Sequence, residues 1–299
     1  MFTSPKFKIL ILFVLIIAIA MLLGMLVLQD RSPILEITPI PATHTPTIVI
    51  PTIDPSLLQI TYVCNDGFIL VAGGRKILID ALFQDSNDIC RIDPPGDAAG
   101  FSQPPFDHAD LVLVSHNHWD HFDPQSVGGY LLENPGTTLI AEKSAADALM
   151  QQFPSFDLIA ERVHSVELAR GQSTQLNLAG VNVELINIPA DVPNLAFLFQ
   201  LGEFNFFHSG DANFDEKVFS NLEGIGLHAR GINFSFVPYW YMTDSWSKTL
   251  LEEGLHSDHY IPMHYAGEGG EGIFGVITML FPQAIIFPEE MQTWSGPDD

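Results

Sequence analysis

Three histidines and one aspartate, His116, His118, Asp120 and His121, fall within six residues directly after an apolar run. Imidazole nitrogens and carboxylate oxygens are the donors that hold zinc, manganese and iron. Such density points to metal ligation rather than to a solvated polar loop. A chain leaving a buried strand must turn, and the turn sends His116 and His118 one way and Asp120 and His121 another. Two adjacent cations could then be held. A water between such ions becomes a nucleophile near neutral pH, so hydrolysis is the chemistry to expect. Asp120 is the expected catalytic residue, binding the second ion and orienting the water or accepting its proton.

The ungapped spacing His-x-His-x-Asp-His resembles the signature of the metallo-β-lactamase fold superfamily. Over roughly residues 58 to 290 the chain looks most similar to the broad hydrolase branch that includes lactonases and phosphodiesterases. The resemblance implies an α/β fold, an αββα sandwich of two mixed sheets flanked by helices, with the metals at one edge between the sheets. It implies Asp211, in the pair Gly210-Asp211, as a bridging ligand, and His264, after a late strand, as the residue closing the second metal's shell. It further implies one or two divalent ions, zinc first with manganese or iron as alternatives, and a small-molecule ester, lactone or phosphodiester as substrate.

One departure from the family pattern matters. Relatives usually carry another histidine between the signature and the Gly-Asp pair, and the segment from Asn187 to Asn194 has none. Asp191 stands where that ligand is expected, and a carboxylate can replace an imidazole. Alternatively Asp191 caps a turn before Pro193, or the first metal is weak or absent. The last case would leave a metal-poor binding or sensing module on the same fold. His208 reads either as a residue orienting a ligand or as a core strand residue. Trp119, Tyr239 and Trp240 are placed near the site by position, as a cleft wall or as core, while His256 and His259 read as surface or core.

The elements that must position these residues show as alternating and apolar runs. Leu58 to Val63, Gly67 to Ala72 and Arg75 to Asp80 read as a meander, with Cys64-Asn65-Asp66 as a turn. Asp110 to Ser115 is a strand buried on both faces, ending at the histidine cluster. Thr137 to Ala141 is a strand, followed by a helix from Ser144 to Gln152. A second series runs through Val163 to Leu168, Thr174 to Leu178, Val181 to Ile188, Leu195 to Leu201 and Phe204 to His208. Helices around Glu216 to Leu222, Ser245 to Glu253 and Gly272 to Leu280 alternate with strands at Ile232 to Val237, Tyr260 to Met263 and Ala284 to Phe287.

Composition bounds the rest. With 12 basic and 36 acidic residues the 299-residue chain carries a net charge of −24, a field that repels nucleic acid. Two cysteines, Cys64 and Cys90, are too few for a disulfide scaffold. A bridge between them is permitted in an oxidising compartment, but sequence gives no distance.

Lys6 and Lys8 precede an uncharged run from Ile9 to Leu28, long enough as a helix to span the ~30 Å bilayer core. The positive-inside rule leaves the N-terminus in the cytoplasm and the remainder outside. The expectation is a single-pass protein of the cell membrane, with a cleaved signal peptide ending near Ala18-Ile19-Ala20 as the rival. The domains expected are an anchor over residues 1–31, a Pro/Thr-rich linker over 32–56 and a hydrolase domain over 57–299. Oligomeric state is not legible.

Overall fold

The computed structural model describes residues 58–84, 87–90, 95, 98–213, 224–265 and 270–296. The chain divides into two units, Met1–Val49 and Ile50–Asp299, and every described residue belongs to the second. The anchor and linker therefore lie outside the described residues. Among the described residues no helix is long and apolar enough to cross a membrane.

The first sheet has the order β13-β1-β2-β3-β4-β5-β6. Its strands are β1 (Leu58–Cys64), β2 (Gly67–Ala72), β3 (Arg75–Ile79), β4 (Leu111–Val114), β5 (Thr138–Glu142), β6 (Val163–Val166) and β13 (Thr293–Trp294). The second has the order β12-β11-β10-β9-β8-β7. It contains β7 (Ser173–Leu178), β8 (Val181–Asn187), β9 (Leu195–Leu201), β10 (Phe204–His208), β11 (Ile232–Pro238) and β12 (Ser257–Met263). Both sheets are mixed, as expected. The strands β3 to β6 run parallel, as do β10 to β12, while the other pairs are antiparallel.

Side-chain alternation builds the layers. In β4, Leu111 and Leu113 enter a core shared with Phe197, Phe206, Phe234 and Ile261 of the second sheet. Val112 and Val114 face the opposite way, onto Val127, Tyr130 and Leu149 of the helices α1 (Pro124–Glu133) and α2 (Lys143–Gln152). In the second sheet Ile186, Ala196 and Val237 point outward onto Leu250 of α3 (Ser245–Leu250) and onto Ile277 and Phe281 of and after α4 (Gly270–Leu280). The two sheets thus face each other and carry helices on their outer sides.

Helix α1 was not expected from the sequence. Its start signals are present: Asp123 accepts from the Ser126 amide at 2.7 Å, and Pro124 fills the first helical position. Gly128 and Gly129 mask it by lowering helix propensity. Gly128 is there for packing, because a Cβ would lie 2.3 Å from the Phe153 ring.

A correction concerns Ala284 to Phe287, expected as a strand and found in irregular backbone. The segment makes one backbone bond to β12, from the Ile285 amide to Tyr260 O at 3.0 Å. Pro282 and Pro288 flank it and limit further pairing, while Phe287 plugs the central core. The final strand lies instead at Thr293–Trp294. The helix expected around Glu216 to Leu222 falls on residues outside those described.

Candidate metal centre

Parallel strands discharge at one edge of a sheet, and the chemistry gathers there. His116, His118, Asp120 and His121 follow β4, Asp211 follows β10, and His264 follows β12. The turn between β1 and β2 brings Asp66 to the same place. The donor atoms form two groups, each with all members within 4.8 Å of one another: His116, His118 and Asp211, and Asp66, His121, Asp211 and His264. Asp211 belongs to both.

His116 Nε2 and His118 Nδ1 lie at hydrogen-bond distance, 2.9 Å, whereas the distances around Asp211 suit a shared cation better than direct pairing. His116 Nε2 lies 3.5 Å from Asp211 Oδ2, His121 Nε2 lies 3.4 Å from Asp211 Oδ1 and 3.5 Å from Asp66 Oδ2, and His264 Nε2 lies 3.5 Å from Asp211 Oδ2. Two donors each about 2.1 Å from a tetrahedral ion stand about 3.4 Å apart. His121 Nε2, both oxygens of Asp66 and Oδ1 of Asp211 are buried without a hydrogen-bond partner among the described residues. Such groups are costly to bury unpaired, and a divalent cation would satisfy them together.

Electrostatics agree. Burial pushes the Asp66 carboxyl up to about 8, against the opposing pull of His264 and His121. Burial also disfavours charge on His121 and His264, but the carboxylates of Asp211 and Asp66 outweigh it. They hold His121 well above the ordinary range and raise His264 to about 9. Asp211, despite its own burial, is held far below the usual carboxylate range by His121 and His264. His116 is driven down to about 3 by burial and by the neighbouring His121 charge. Protons on this side of the cluster occupy the place of cation charge, and a cation would displace them.

A shell of bonded neighbours aims the donors. Asp80, at the end of β3, accepts from His121 Nδ1 at 3.0 Å, from the Ser115 amide at 2.8 Å and from Ser115 Oγ at 2.5 Å. Nδ1 of His121 thereby donates to Asp80, and Nε2 faces Asp211 and Asp66, where a cation would take the place of its proton. Although burial opposes charge on Asp80, the bond and charge of His121 keep its carboxyl below the usual range.

His208 is not a member of either donor group. Its Nε2 lies 3.2 Å from the backbone oxygen of Asp66, and its Nδ1 accepts from the Gly210 amide at 3.2 Å. It therefore ties the Asp66 turn to the Asp211 loop. Burial lowers its basicity, in keeping with a neutral ring that donates from one nitrogen and accepts at the other.

Asn194 accepts from the Asp211 amide at 3.2 Å and donates to Ser209 O at 2.9 Å. Gly210 has φ +55°, and a Cβ there would lie 2.2 Å from Asn194 Oδ1, so only glycine fits. His264 itself adopts φ +62°, a left-handed conformation held by its amide's bond to Asn65 O at 3.1 Å.

The remaining expected residues are distributed as follows. Asp120 stands beside the second group without joining it; its Oδ2 accepts from Asn65 Nδ2 at 2.9 Å and lies 3.8 Å from His264 Nε2. Asp191 is exposed, accepts from Asn213 Nδ2 at 3.0 Å, and lines a cleft of about 200 Å³ with His118, Asp211, Trp240 and His264. Trp240 meets the His264 ring edge-on at 5.0 Å, whereas Tyr239 packs on the core and Trp119 is exposed. His256 is exposed, and His259 is buried against Phe234.

Sequence reasoning missed Asp66, Asp80 and Asn65. Asp80 carried a weak signal, as an acid ending the strand next to the one that reaches the histidines. Asp66 and Asn65 carried none, because a turn between two strands accounts for both residue types. The bridge left open is formed: Cys64 and Cys90 are disulfide-bonded, with Cα atoms 5.9 Å apart.

Comparison with known proteins agrees with this geometry. Residues 75–267 match the family described as Beta-lactamase superfamily domain. A protein of Aeropyrum pernix named UPF0173 metal-dependent hydrolase is 29% identical over 96 residues, 32% of this chain and 34% of that protein. The chain thus spans about a third of the length of that curated relative. A metallo hydrolase of Ignicoccus hospitalis superposes with a TM-score of 0.53 at 14% identity, covering 79% of this chain and 98% of that one. A metallo-beta-lactamase fold protein of Bacillus subtilis gives 0.50 at 9% identity, over 79% and 98%. These likenesses show the fold, and the family match covers more than half of the sequence. With the signature, the two mixed sheets and the edge cluster in register, the chain belongs to the beta-lactamase superfamily.

Proposed function

We propose that this protein is a metal-dependent hydrolase acting on a small-molecule ester, lactone or phosphodiester. The observation that carries the reading is the pair of donor groups sharing Asp211, the second of them holding buried donors without a hydrogen-bond partner among the described residues, beside an open cleft. When bound, one or two divalent cations, zinc foremost with manganese or iron as alternatives, would acidify a nearby water and stabilise the oxyanion that develops. The protein's own part is to aim the imidazoles, which ligate once a cation displaces their protons. Asp80 fixes His121, and His208 and Asn194 fix the loops bearing Asp66 and Asp211. Asp120, steadied by Asn65, is placed to take up a proton at the edge of the cluster. Trp240 supplies an apolar wall for the substrate.

We place the catalytic body outside the cytoplasm, tethered by the apolar N-terminal run. The Cys64–Cys90 bridge supports an oxidising compartment, and the Ile9 to Leu28 run supports the tether.

The test is to purify the full chain in detergent, count bound metal by elemental mass spectrometry, and assay aryl-ester, lactone and phosphodiester substrates before and after chelation. Bound metal with chelator-sensitive turnover, lost at least about 100-fold in His121→Ala, is the expected result. Metal without turnover on any class would favour a binding module, and absence of metal would end the proposal.

A further inference from the structure

We infer that Asp66, on the turn between β1 and β2, ligates the second cation in the position that the family resemblance gives to Asp120. This rests on the metal-dependent reading above and sharpens it.

Four observations support the exchange. Asp66 is fully buried, and neither of its carboxylate oxygens has a partner among the described residues. Its Oδ2 lies 3.5 Å from His121 Nε2, the same spacing that separates other donors of the cluster. Asp120, by contrast, is already engaged by the Asn65 amide, stands 3.8 Å from His264 Nε2 and falls outside both donor groups. The turn itself is held by three ties, two of them to residues of the site. Cys64 is bridged to Cys90, Asn65 O accepts from the His264 amide, and the Asp66 backbone oxygen meets His208 Nε2.

An acid placed by a turn so firmly held, with both oxygens buried and without a hydrogen-bond partner among the described residues, has a ready counterpart in a cation. Asn65 and Asp66 act as a unit. The first donates to Asp120, and the second offers a carboxylate to the cation in its stead. Asp66 precedes the region that matches the family, so the exchange involves a part of the chain the shared signature does not cover.

The experiment uses the full chain stripped of metal and titrated with zinc and with cobalt(II), comparing wild type, Asp66→Asn and Asp120→Asn. Expected for Asp66→Asn is loss of about one bound equivalent, or at least about tenfold weaker binding of one equivalent, with a changed cobalt absorption spectrum. Asp120→Asn should keep the wild-type stoichiometry and spectrum. Asp66→Asn that retains both ions, with Asp120→Asn losing one, overturns the inference while leaving the hydrolase reading intact; wild type that binds no ion overturns both.

Anomalous diffraction from the metal-loaded wild-type chain gives a readout independent of any variant's folding. An ion about 2.0–2.2 Å from an Asp66 oxygen supports the assignment. An ion bound by Asp120 with Asp66 beyond about 3 Å, far outside that coordination distance, overturns it.

Discussion

Two acids outside the histidine signature are carried to the site by turns, and the turns differ. The β1–β2 turn holds Asp66 buried, without a hydrogen-bond donor to its carboxylate among the described residues, and locked by a disulfide and bonds to His264 and His208. The loop between β8 and β9 holds Asp191 exposed at the cleft rim, where Asn213 already supplies a donor. A solvated, bonded carboxylate costs little to maintain, whereas a buried bare one is tolerated when something of opposite charge meets it. Burial without partners, more than acidity, separates a candidate ligand from a cleft wall.

The largest expected effect comes from unfastening the first turn. Replacing both cysteines, Cys64→Ala with Cys90→Ala, removes a bridge between residues 26 apart in sequence. It should lower stability by about 3 kcal/mol, read as a lower midpoint in denaturant. If the turn's rigidity places Asp66, metal affinity should fall with it. A destabilised variant binding both ions with wild-type affinity would show that the other ties suffice and would weaken the contrast between the turns.

Next in size is the acid that aims rather than binds. Asp80→Asn deprives His121 Nδ1–H of a charged acceptor and frees the imidazole to choose the wrong tautomer. Metal affinity should drop 10- to 100-fold, measured by competition with a chromogenic chelator. An effect below about twofold, well under the range for such outer partners, would mean that Ser115 alone orients the ring.

Much of this architecture was legible because burial writes itself into period-two patterns. β2, β9 and β10 begin and end where the residues predict, since both faces of those strands are packed and turns bound them. The candidate ligands after β4 were legible for a different reason, the density of histidines, whereas Asp211 after β10 and His264 after β12 were legible through the family resemblance. Illegible features were those whose residue types already had a local explanation. Asp66 and Asn65 look like turn formers, Gly128 looks like a helix breaker, and Ala284 to Phe287 looks like a strand although it serves as an apolar plug. Such roles come from contacts far away in sequence: His264, Phe153 and the central core.

A satisfied acid outside the donor groups calibrates the smaller effects. Asp244 caps α3, accepting from the Trp246 and Ser247 amides, both at 2.9 Å, and from Ser247 Oγ at 2.7 Å. The Ser247 bonds chiefly hold its carboxyl below the usual range. Because the folded state lowers the pKa, the capped carboxylate contributes fully above the unfolded value near ~3.9 and loses that contribution as pH falls below it. Asp244→Ala should therefore cost about 1 kcal/mol at pH 7, and the gap from wild type should shrink in melts below about pH 4. Metal content should stay unchanged. Loss of metal in this variant would show that α3 braces the site through the Trp240 segment.

The smallest expected effect on metal binding belongs to Asp191→Asn. Its carboxylate has water and Asn213 for company, so removing the charge should change cation affinity by less than about threefold, in line with the small worth of exposed pairs. The charge should matter instead to what enters the cleft. An anionic substrate beside His118 and Trp240 must approach Asp191, and one like charge at such a solvated distance is worth about 0.5–1 kcal/mol. The Asn variant should accordingly gain about two- to fivefold in kcat/KM for anionic phosphodiesters, with little change for neutral lactones. A loss of one metal equivalent in Asp191→Asn would reverse the distinction between the two turns and make this loop, rather than the β1–β2 hairpin, the source of the extra carboxylate.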